Sequence, residues 1–249
     1  MRAVFARFAT SVRDALRIWW LAPIIPLIAA LPEFGQHVVE IRLGMFDSIE
    51  TMRTIGQSAA RWGVGYIKIA GLFLAIIATI RFQAARLQDR SWWSAQGVNW
   101  RLLGIALALN ILVSLVGEAI LEGVAPLAFP VPLILQIVLS IASLPLLVLL
   151  VAALTGDRGA SIAGVYRHGW LAALRIAIFA AALFLPLQWL HMMNHQWAVG
   201  QSEPIVWTLM VFDSLLVGLI ATGLGTAIHH GYRPLSKHEG QDFMSAGRT

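Results

Sequence analysis

Glu33, His37 and Glu40 recur at i, i+4 and i+7, a spacing that sets two carboxylates and an imidazole on one face of a helix. Glu118 and Glu122 stand four apart, and so do His191 and His195. Carboxylates and imidazoles projecting from neighbouring helices are the means by which helix bundles hold Zn, Mn or Fe. Glu33, His37, Glu118, Glu122, His191 and His195 are therefore the candidate ligands for a divalent metal. The competing reading is that they are polar helix ends wetted at an interface, with Asn194 to Glu203 forming a solvated loop. Helical spacing aligns residues within one segment but leaves the rotation and adjacency of the segments open, so convergence is a separate claim.

Two further ionisable residues fall inside apolar stretches, Lys68 and Asp213. Ionisable groups in such stretches are costly and mark candidate functional sites. The spacing places them at similar depths, about 8 and 12 Å from one end at 1.5 Å rise per residue, so they are a candidate ion pair. For Lys68 the alternatives are snorkelling to the headgroups or a substrate or proton role.

Other chemistry is excluded by residue type. The chain has no cysteine, which removes disulfides, thiolate nucleophiles, iron–sulfur ligation and cysteine-based zinc sites. It carries no phosphate loop, no Gly-x-Ser-x-Gly elbow and no His-Glu-x-x-His, and Gly223-x-Gly225 is too short for a dinucleotide loop. His229 and His230 are adjacent and point to different sides of a helix, which argues against a shared metal.

The elements that position these residues follow from the solvent. With 58% hydrophobic and 12% charged residues over 249 positions, the composition is far from that of a water-soluble domain. A bilayer core needs about 20 apolar helical residues per crossing, and six windows qualify, near 16–39, 63–82, 102–121, 131–154, 170–190 and 205–228. The predicted fold is an all-α integral membrane protein, a six-span bundle over 16–231. The N-terminal stretch lacks a small-x-small cleavage site and is read as retained.

Charge supplies an independent test of this count. Fourteen of the 18 Lys and Arg fall in the N-terminus, the second and fourth loops and the tail, as the positive-inside pattern requires if both termini are cytoplasmic. The loops after the third and fifth spans have neither residue. The basic pI near 10.4 is thus explained by topology, and nucleic acid is not an expected partner. All ten tryptophans lie near predicted span ends, where an amphipathic ring prefers the headgroup level.

Two segments read as surface helices. Over residues 1–17, Val4, Phe5, Phe8, Val12 and Leu16 form a stripe opposite Arg2, Arg7, Arg13 and Arg17, predicting an amphipathic helix on the cytoplasmic leaflet. In the first external loop, Asp47 and Glu50 have capping-box spacing ahead of a helix over 47–62. Arg17 to Glu33, Arg101 to Glu118 and Arg175 to His191 hint at a three-hairpin repeat, which inward-starting spans would also produce unaided. The stretch 232–249 is polar and predicted to be a mobile tail.

Together these features predict a multi-pass protein of a bacterial inner membrane, embedded in the lipid bilayer and associated with a membrane-protein partner or a second copy. The absence of catalytic motifs favours a non-enzymatic accessory, scaffold or small-ligand-binding role. The alternative is a membrane enzyme or transporter that uses an outward-facing Glu/His cluster, with or without a metal.

Overall fold

The computed structural model describes residues 2–124 and 129–234. Among them all regular structure is helical, and six helices are long and apolar enough to cross a membrane. In chain order the helices are α1 (Arg2–Leu21), α2 (Ile24–Arg42), α3 (Ile49–Gly56), α4 (Ala59–Arg86), α5 (Trp100–Val124), α6 (Val131–Thr155), α7 (Ile162–His168), α8 (Trp170–Ala198) and α9 (Glu203–Tyr232). The six apolar ones are α2, α4, α5, α6, α8 and α9. The chain divides into two compact units, Met1–Gln83 with Phe179–Ala227 and Ala84–Ile178 with Ile228–Thr249.

Several boundaries depart from the periodicity. The first apolar helix begins at Ile24, not near Leu16, because the chain breaks at Ala22-Pro23. Pro23 has no N–H to continue the ladder, so α1 ends at Leu21 and residues 16–21 belong to α1. The helix expected over 47–62 is likewise two pieces. Ser48, not Asp47, caps α3: its hydroxyl accepts from Thr51 N at 3.1 Å, and Thr51 Oγ1 accepts from Ser48 N at 2.9 Å. Helix α3 then stops at Gly56, and α4 restarts at Ala59. The segment from Asn194 to Ala198, expected in a loop, is helical and continues α8. The tail expected over 232–249 lies, apart from 232–234, outside the described residues.

In the first unit small residues let helices approach closely, the usual device of helices that cannot rely on water to drive them together. Ala29, Ala75, Val217 and Ala221 form one buried cluster. At Gly71 a Cβ would meet Ile28 O of α2 at 2.7 Å, and at Gly225 it would meet Thr79 Cβ of α4 at 2.5 Å. The buried face of α2 is apolar at Ile25 and Ala29, then becomes polar at Glu33, Gln36, His37 and Glu40. One stripe of one helix thus carries both the packing and the chemistry. Beyond the polar stretch, Met45, Phe46, Ala198, Val206 and Met210 form a separate apolar cluster.

The second unit contains α5, α6 and α7. Helix α6 ends at Gly156, whose φ of 78° is the left-handed conformation that a glycine C-cap adopts without strain. Helix α7 is capped by the Ser161 hydroxyl, which accepts from Gly164 N. Tyr166 donates to Ala142 O at 3.0 Å, and Tyr232 donates to Asp157 Oδ2 at 2.7 Å. Exposed side chains along α5 include Ile111, Leu112, Leu115, Val116 and Ile120, an apolar face of the kind that lipid covers.

Candidate functional site

The polar part of the first unit is assembled by α2, α4, α8 and α9. Asp213 is the hub. It lies on α9 one turn before Val217, on the stripe that packs the small-residue cluster, and is fully buried. Its Oδ2 lies 3.1 Å from His37 Nε2, 2.7 Å from His191 Nδ1 and 3.5 Å from His195 Nε2. Its Oδ1 accepts from Asn194 Nδ2 at 2.8 Å. The His37 contact has hydrogen-bond geometry. The other two imidazole contacts are close without being aligned as hydrogen bonds, and His191 Nδ1 and His195 Nε2 are buried without a hydrogen-bond partner. Their placement on α8 follows from i, i+4 spacing, which brings the His191 and His195 rings edge to face with centroids 5.1 Å apart.

His37 is fixed from behind. Its Nδ1 donates to Glu40 Oε2 at 2.9 Å, one turn along α2. Glu40 Oε1 in turn accepts from Gln36 Nε2 at 2.6 Å and Arg61 Nε at 2.7 Å. With Nδ1 engaged, Nε2 faces Asp213 and also stands 3.3 Å from Glu33 Oε1. A carboxylate behind an imidazole whose other nitrogen faces a group of donors is the outer-shell arrangement of metal-ligating histidines.

Glu33 has a different neighbour. Lys68 Nζ donates to Glu33 Oε1 at 3.0 Å, so the partner of Lys68 is Glu33 and not the expected Asp213. The reason lies in the packing of α4 on α2. Gly65 and Gly71 of α4 meet Gln36 and Ile28 of α2, and the face that carries them also carries Arg61 and Lys68. Arg61 and Lys68 are seven residues apart, as are Glu33 and Glu40, and the two ion pairs run in opposite chain order. Asp213 is surrounded instead by imidazoles from α2 and α8.

Of the candidate ligands, the structure brings Glu33, His37, His191 and His195 together, joined by Asp213. Ligand atoms of Glu33, His37, His195 and Asp213 all lie within 4.8 Å of one another. Glu118 and Glu122 belong to the second unit, where they line a groove with Asn110, Gln136 and Ser140. Like spacing on α5 does not make its face equivalent to that of α2, because only the α2 face is buried: Glu118 is exposed and Glu33 is not.

Arg61, Gln36 and Asn194 also belong to the site and were not among the expected ligands. The matching seven-residue intervals of Arg61/Lys68 and Glu33/Glu40 were a usable signal once α2 and α4 were assumed to be neighbours. Asn194, read as part of a solvated loop, is 1% exposed and bonds Asp213. Comparison with protein-family models, curated proteins and solved structures finds no match to this chain.

Proposed function

We propose that this is a multi-pass membrane protein that binds a divalent transition-metal ion within its first unit through Glu33, His37, His195 and Asp213. The observation that carries the reading is that ligand atoms of these four residues lie within 4.8 Å of one another, with three of the six separations near a tetrahedral edge, so that modest rotamer changes close the site on an ion. Glu33 Oε1 to His37 Nε2 is 3.3 Å, His37 Nε2 to Asp213 Oδ2 is 3.1 Å, and His195 Nε2 to Asp213 Oδ2 is 3.5 Å. Nitrogen and oxygen ligands about 2.0–2.1 Å from a tetrahedral zinc ion stand about 3.3 Å from each other. The donor set of two imidazoles and two carboxylates suits zinc and its borderline neighbours.

Charge supports the same reading. Glu33, Glu40 and Asp213 face Arg61 and Lys68, and the remaining negative charge is met either by a second proton on His37, which stands between Glu40 and Asp213, or by a cation at its Nε2. An uncompensated buried charge is expensive, and a cation offsets it. His195 Nε2, buried without a hydrogen-bond partner, gains one in a ligand bond. His191 Nδ1, at 2.7 Å from Asp213 Oδ2, is too close for a ligand edge and stays outside the ligand set.

Four protein donors leave a tetrahedral ion without an open position, the pattern of metal-holding rather than hydrolytic sites. This favours a binding, accessory or structural role over an enzyme. In this reading α1 lies on the cytoplasmic leaflet of a bacterial inner membrane, both termini are cytoplasmic, and the exposed apolar faces meet lipid or a membrane-protein partner.

The experiment is metal analysis of the detergent-purified full chain, beside H37A/H195A. About one equivalent of a divalent transition metal in the parent and a loss of it in the variant is the expected result. A parent that takes up no Zn²⁺ or Co²⁺ from micromolar solution while remaining folded would overturn the assignment.

A further inference from the structure

The second unit contains a pocket that the metal reading does not use. It lies where the loop between α4 and α5 meets the C-terminal end of α6, and its lining includes Gln88, Arg90, Gly97, Asn99, Gly156 and Arg158. We propose that this pocket binds a phosphate group, borne either by a lipid headgroup or by a free anion, with Arg90 and Arg158 pairing its oxygens.

The pocket is built rather than left between loose side chains. Asn99 N donates to Ala153 O at 2.9 Å and Gln88 Nε2 donates to Thr155 O at 3.5 Å, which tie the loop to the end of α6. Gly97 and Gly156 both have positive φ, 75° and 78°. A Cβ on Gly156 would stand 2.3 Å from Gly97 O, so the two backbones touch and no side chain can fill the space between them. A Cβ on Gly97 would lie 3.1 Å from Arg90 Nη1, which places that guanidinium directly over the glycine. Asn99 Oδ1 accepts from Leu102 N at 3.1 Å, leaving its NH2 as a donor.

Charge defines the ligand. Among the described residues the lining contains two arginines and no acidic residue. Among the described residues neither Arg90 nor Arg158 makes an ion pair. Of the two acids next to these arginines in sequence, Asp89 is not part of the lining and Asp157 is committed elsewhere, accepting from Tyr232 Oη at 2.7 Å and from Gly159 N at 2.9 Å. Two unpaired guanidiniums with amide donors between them match the several oxygens of a phosphate, which arginine binds in a fork. The carbonyls at the end of α6, which would repel an anion, are capped: Ala152 O and Ala153 O accept from Asp157 N, Gly156 N and Asn99 N. Basic pockets at the ends of membrane helices are a recurring form of headgroup site.

The test uses the detergent-purified full chain, R90Q/R158Q, and R90K/R158K, which keeps the charge while removing the fork. A control, R2Q/R13Q, removes two arginines elsewhere. Thermal melting is followed in inorganic phosphate and pyrophosphate against chloride at equal ionic strength. In parallel, native mass spectrometry counts retained phosphatidylglycerol after extraction from nanodiscs containing it. If the source is a free anion, pyrophosphate raises the midpoint of the parent and control, with half-saturation at least tenfold higher in both pocket variants. If the source is lipid, the soluble anions do nothing and the pocket variants lose a lipid adduct that the control retains. Equal loss in the control and the pocket variants, or neither response in a folded parent, overturns the proposal.

Discussion

His37 Nδ1 donates to Glu40 Oε2 at 2.9 Å, and this contact decides which nitrogen of the ring faces the other polar side chains. Because Arg61 and Gln36 hold Glu40 from the other side, the orientation of one imidazole depends on residues from two helices. Glu40 is therefore a positioning residue, and it can be tested without touching a ligand.

Glu40→Gln should keep the parent's metal stoichiometry at saturation but weaken affinity by about 10–100-fold, the usual cost of losing an outer-shell partner. Competition titration against a chromophoric chelator measures this. Unchanged affinity would mean that Glu40 serves only the Arg61 ion pair.

The pairing of Lys68 with Glu33 predicts a specific coupling. Lys68→Met or Glu33→Gln alone should each lower stability in detergent by about 1–3 kcal/mol, since each leaves a desolvated partner behind. The double variant should recover about 0.5 kcal/mol or more of the summed loss. Strict additivity would remove the direct pair. The same cycle between Lys68 and Asp213 should show the smaller coupling.

Close approach of α4 to α2 and α9 predicts that single methyl groups are felt. Gly71→Ala and Gly225→Ala should each destabilise by about 1–3 kcal/mol, because the added carbon meets Ile28 O at 2.7 Å and Thr79 Cβ at 2.5 Å. Gly35→Ala and Gly63→Ala, which meet nothing within 4 Å, should be neutral or stabilising by up to about 1 kcal/mol. Gly71→Ala should also weaken metal binding, since it displaces the helix that supplies Arg61 and Lys68. Melting curves of the four variants, with metal titration of Gly71→Ala, check the set.

The proposed orientation is tested by reporters. A fusion after Thr249 should report a cytoplasmic location, and one inserted near Gly200 the opposite side. The same location for both would refute six crossings.

Much was determined by the sequence alone. Twenty-residue apolar windows admit one secondary structure in lipid, since every backbone group must be satisfied within its own segment, and all six appear as helices. Spacing also put Glu33, His37 and Glu40 on one face, and His191 and His195 on one face, because helical periodicity is a local property. The tertiary structure decided what lay between helices. Whether Lys68 met Asp213 or Glu33 depended on the rotation of α4, set by Gly65 and Gly71 against α2, over separations that no local pattern encodes. Glu118 and His191 looked alike as polar residues near span ends. Only packing distinguished them, leaving one exposed on α5 and bringing the other to 2.7 Å from Asp213. Periodicity speaks for the face of a single helix, whereas a site made by four helices is a property of their contacts.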